Sequence, residues 1–154
     1  MGASASTIWA NCQAIAPELI LILGAAAVLL IDMTFFKPRD SWKSGWVAIA
    51  ALAASLALLF RAEPPEDPLV FAGQLRLDSL AIWFQKLFVL GSIVICLFGL
   101  NARDLRGRRQ GEFHALVLTA ALGAMFMAAA NDFIALMLSL ETLSLASYVL
   151  AGYV

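Results

Sequence analysis

The chain has 154 residues, 62% of them hydrophobic, and a mean hydropathy of +0.88. Soluble globular domains are nearer ~45–50% apolar, so this composition belongs in a membrane. A formal net charge of −1, one histidine and two cysteines without pairing or metal-ligand spacing argue against nucleic-acid partners, a histidine-based metal site and a disulfide framework.

Five apolar segments follow one another. The first is expected at 17–36, with Pro17 in the opening turn, where its missing N–H is not needed, and Glu18 beside it, favourable for the helix dipole. Asp32, about one turn from the far end, is expected to reach the interface or Lys37. The second, at 42–60, begins with the interfacial tryptophans Trp42 and Trp46, and its Ala50, Ala54 and Ala57 would permit close packing. Residues 61–79 carry three prolines and several charges and form an extramembrane loop with a weak hairpin signal. The third segment, 80–100, contains Lys86, whose stem can carry the amine to the nearer interface, and Cys96, read as a small apolar packer. The fourth, 112–130, follows a loop with four arginines, places His114 at a helix end near the headgroups, and shows a stripe of Ala120, Ala124 and Ala128. Asn131-Asp132 is so short a connection that the fourth and fifth segments should be antiparallel neighbours.

The fifth segment, 132–153, is the most informative because it carries Glu141 near its middle. An ionisable side chain at mid-membrane costs roughly 2.5–3.5 kcal/mol on insertion scales, so such an acid is a functional candidate by default. Ile134, Met137, Leu138, Ser144, Leu145 and Tyr148 share its helical face. The alternative is a structural acid bonded to Ser144 or to a neighbouring helix.

The charges also give a topology. Lys37, Arg39 and Lys43 flank the first connection, and Arg103, Arg106, Arg108 and Arg109 lie in the third. The other side has only Arg61 and Arg76. The positive-inside rule therefore places the N-terminus outside and the C-terminus inside. The expected fold is all-α: a polytopic membrane bundle of about five transmembrane helices.

The stretch GEFHALVLTAALGAMFMAAANDFIALMLSLETLSLASYVLAGY, at 111–153, resembles helices four and five of the N subunits of proton-pumping NADH–quinone oxidoreductase, respiratory complex I. APELILILGAAAVLLIDM, at 16–33, resembles their opening helix, and LAIWFQKLFVLGSIV in the third segment also fits. Antiporter-like relatives tend to have tryptophan before the glutamate; Leu140 stands there here, as in the N subunits. The resemblance implies a bundle of about fourteen helices with two inverted five-helix repeats. It implies that Glu141 is a proton relay, paired with a lysine on helix seven and continued through charged residues on helices eight and twelve. It further implies a bacterial inner-membrane translocase whose partners are the lipid bilayer and the other membrane subunits of the complex. The chain itself would hold no metal and no cofactor, NADH and quinone being used by the whole complex. Because the sequence stops after the fifth helix, it is expected to be an N-terminal fragment, inactive alone. The alternatives are a subunit of an Mrp-type cation–proton antiporter and a truncated segment with no independent activity.

Overall fold

The computed structural model describes residues 12–34, 42–64, 68–101 and 110–153. Phe35, Phe36, Lys37, Arg39 and the four arginines of the third connection lie outside the described residues, as does the side chain of Trp42.

The described residues form an α-helical bundle with one small hairpin. The helices are α1 (Ala16–Thr34), α2 (Trp42–Arg61), α3 (Ser79–Asn101), α4 (Gln110–Ala129) and α5 (Phe133–Ala151). At ~1.5 Å rise per residue, helices of about 20 residues match the ~30 Å hydrocarbon core. Among the described residues, five helices are long and apolar enough to cross a membrane.

Local chemistry fixes several helix ends. The Asp78 side chain accepts from the Ala81 N–H at 2.8 Å, capping α3. Asp132 does the same for α5 through Ala135 N–H at 2.6 Å, so the chain reverses directly after α4. α4 and α5 accordingly pack side by side.

The loop before α3 does form a hairpin: β1 (Leu69–Val70) pairs antiparallel with β2 (Leu75–Arg76), Leu69 opposite Arg76 and Val70 opposite Leu75. Leu75 also bridges Ala130, and Asn131 Nδ2 donates to the Gly73 carbonyl at 2.7 Å. The 61–79 loop and the α4–α5 connection therefore lie at one end of the bundle, the hairpin end. At the opposite end, Gly45 of α2 abuts Leu100 and His114, and Gly99 of α3 abuts Phe113. That contact brings the helix ends that flank the two basic connections together.

α4 is the central helix, packed against α1, α2, α3 and α5. Its middle joins Leu21, Val28, Leu52, Val89 and Cys96 in the main core through Leu118, Ala121 and Met125. Half of its membrane-length window is buried, against 11% for α5. α2 meets the core through Ser44, Ala48, Leu52, Ser55 and Leu59. This corrects the reading of its alanines: Ala50, Ala54 and Ala57 are all exposed. A helix facing lipid on one side and protein on the other is apolar all round, so small residues alone do not mark the packed face.

Candidate functional site

Glu141 is the ninth of nineteen residues in α5, hence near mid-depth for a spanning helix. It is exposed. The residues expected on its face are uncovered too: Ile134, Met137, Leu138 and Leu145 are exposed, Tyr148 is 73% exposed and Ser144 is half-buried. α5 rests chiefly on α4, and its buried residues are only Ser139 and Ala146. Gly123 permits this approach, since a Cβ there would lie 2.8 Å from the Leu143 backbone nitrogen and 3.1 Å from the Ser139 carbonyl oxygen. The helix thus turns its back to α4 and its carboxylate away from the bundle.

Ser144 Oγ donates to the Glu141 backbone carbonyl at 3.0 Å, a turn within the helix, and not to the carboxylate. Among the described residues, the Glu141 side chain has no hydrogen-bond or ion-pair partner. In hydrocarbon such a group costs several kcal/mol until a partner or a proton satisfies it. The arrangement leaves the carboxyl group open to a covering element that supplies a donor or cation.

Two buried polar clusters are not evident from the sequence. Glu18 does more than sit favourably at a helix start. It is 1% exposed, and its Oε1 accepts from Gln85 Nε2 at 2.7 Å. Ser55 Oγ donates to the Pro17 carbonyl at 3.0 Å nearby, tying α2 to the same turn.

The second cluster lies at the opposite end. Asp32 is buried against α4, and a Cβ on Gly111 would meet its carboxyl at 2.5–2.8 Å. His114 is 0% exposed and is packed under Gly45 and Gly99 near the start of α4. Its Nδ1 lies 2.7 Å from the Gln110 carbonyl, which can only accept, so Nδ1 carries the hydrogen. The signal that could have found this pocket is three glycines, Gly45, Gly99 and Gly111, near the same ends of three different helices.

Two other expectations, for Cys96 and Lys86, hold more simply. Cys96 is buried in the core. Lys86 is half-buried and places Nζ 5.2 Å from the centre of the Phe60 ring, towards the hairpin end. No group of histidine, cysteine, aspartate and glutamate that could hold a metal ion is found among the described residues.

No protein-family model matches the chain. It is similar to curated proteins named NAD(P)H-quinone oxidoreductase subunit 2. The relative from Acaryochloris marina is 38% identical over 143 residues, covering 93% of this chain and 27% of that protein. One from Prochlorococcus marinus (strain MIT 9301) is 37% identical over 147 residues, 96% of this chain and 29% of that protein. One from Nostoc sp. is 35% identical over 143 residues, with 93% and 27% covered. The chain therefore spans less than a third of the length of these relatives.

Proposed function

We propose that this chain is the opening five-helix part of a membrane subunit of a bacterial NAD(P)H–quinone oxidoreductase, and that Glu141 is a proton relay within that subunit. One observation carries the reading: a mid-depth carboxylate on a helix face that no described element covers, in a chain similar along nine-tenths of its length to subunits of such enzymes. An uncovered carboxylate in a spanning helix calls for a neighbour that completes its surroundings. Further helices of a longer subunit would meet that need, supplying the cation that the resemblance expects. Redox chemistry with NAD(P)H and quinone belongs to other subunits, and this one couples it to proton movement. The N-terminus lies outside and the C-terminus inside, from the excess of lysine and arginine on the two basic connections. The location is the inner membrane, with the other membrane subunits of the complex as partners.

The test is made on inverted membrane vesicles from cells with and without the gene. Vesicles holding the complete enzyme acidify on addition of NADH or NADPH. Loss of the gene abolishes the quinone-linked part of that acidification, and re-expression restores it. Equal acidification in both preparations would reject the assignment.

A further inference from the structure

Away from the Glu141 face, Glu18 presents a second carboxyl group whose surroundings are incomplete. Oε1 is engaged by Gln85 Nε2, which also lies 3.4 Å from the Met125 carbonyl. Oε2 is buried and has no hydrogen-bond partner among the described residues. That position is costly in either protonation state. A charged Oε2 lacks solvation, and a protonated one lacks an acceptor. Buried polar groups in this situation are commonly completed by water.

The route for water is adjacent. A cavity of about 430 Å³ lies at the hairpin end, between the start of α1, the end of α2 and the start of α3. Gln85 and Pro17 form part of its wall, and Arg61 and Glu63 stand at its edge. By volume it admits several waters, at ~30 Å³ each. Gln85 thus touches both the cavity and the carboxyl.

We propose that Glu18 is a proton-exchange site served by this cavity, separate from Glu141. Gln85 holds Oε1 as an acceptor, which leaves Oε2 as the oxygen that carries the proton. On release the proton passes from Oε2 to a water oxygen in the cavity, and the carboxylate stays bonded to the Gln85 amide. On uptake the same bond re-forms from a protonated water. Among the described residues, three helices other than α1 supply groups at the carboxyl and along the cavity wall. α4 contributes the Met125 carbonyl, α3 contributes Gln85, and the α2 end contributes Arg61, with Glu63 just beyond it. Lys86, next to Gln85 in the chain, is directed over the Phe60 ring. This inference does not depend on the role of Glu141.

The experiment is infrared spectroscopy of the assembled enzyme in lipid vesicles, following the carbonyl band of a protonated glutamic acid. Glu18→Gln removes the assigned band and Glu18→Asp displaces it, so either variant suffices for assignment. The band is expected to weaken reversibly as bulk pH rises and to shift on transfer to D₂O. Ala62→Trp, a bulky change at an exposed position in the cavity wall, should slow the D₂O shift severalfold in otherwise unaltered protein. A band indifferent to pH and D₂O, or one that shifts at the same rate in Ala62→Trp, overturns the proposal.

Discussion

The close packing of α5 on α4 makes a sharp prediction for Gly123→Ala. The new Cβ would sit 2.8 Å from Leu143 N, 3.1 Å from Leu143 Cα and 3.1 Å from Ser139 O. These are backbone atoms of the facing helix, so no side-chain rotation relieves the contact. Ordinary carbon contacts lie near ~3.5–4.0 Å, so α5 must move outward by several tenths of an ångström or more. Overpacking of this kind costs typically ~1–3 kcal/mol. Gly91→Ala is the control, because a Cβ there meets nothing within 4 Å and the position is exposed. Both glycines lie inside spanning helices, so the gain from replacing glycine by alanine enters both variants and cancels in their difference. Gly123→Ala should therefore be less stable than Gly91→Ala by about 1–3 kcal/mol. Thermal unfolding in matched detergent, together with the rate of a disulfide cross-link engineered between α4 and α5, reads this difference. Equal stability and equal cross-linking in the two variants would show that α5 does not depend on the Gly123 approach, and would undo the account of how Glu141 is positioned.

Three other outcomes are expected. Asp132→Ala removes the acceptor for Ala135 N–H and should cost about 1 kcal/mol, with faster hydrogen exchange confined to the first turn of α5. Phe71 and Ala72 both have left-handed backbone, at φ 53 and 56, so Ala72→Gly should stabilise the hairpin by ~1 kcal/mol and slow amide exchange at Gly73 and Gln74, whereas unchanged exchange would show no strain there. A single cysteine introduced in the 61–79 loop of a cysteine-free variant should react with an impermeant thiol reagent in intact cells; reaction only after the membrane is opened would invert the topology.

The sequence makes some levels of this structure readable and hides others. Apolar runs broken by Lys37–Asp40, Arg61–Ser79, Asn101–Gly111 and Asn131-Asp132 reveal five segments of spanning length, because charge and proline are costly in hydrocarbon. They do not reveal which face of each helix is buried. In water, polarity separates the two faces; in a bilayer both are apolar, so Ala50, Ala54 and Ala57 look like a packing stripe yet face outward. The burial of Glu18, Asp32 and His114 is hidden for a related reason. Nearness to a helix end suggests the interface, but burial depends on what the neighbouring helices bring: Gln85 to Glu18, Gly111 to Asp32, and Gly45 with Gly99 to His114. Glu141 was legible as a candidate from its depth alone. Its outward direction was not, because that follows from Gly123 allowing the opposite face to settle on α4.

The proton-relay role of Glu141 is tested most directly by the ratio of protons moved to NADH or NADPH oxidised in the assembled enzyme carrying Glu141→Gln. The substitution keeps size and hydrogen bonding but removes titration. The expected result is an enzyme that assembles and oxidises its substrate while the ratio falls sharply, with Glu141→Asp retaining part of it. A Glu141→Gln enzyme with the unmutated ratio would contradict the account, and would make the carboxylate a packing or hydrogen-bonding element only.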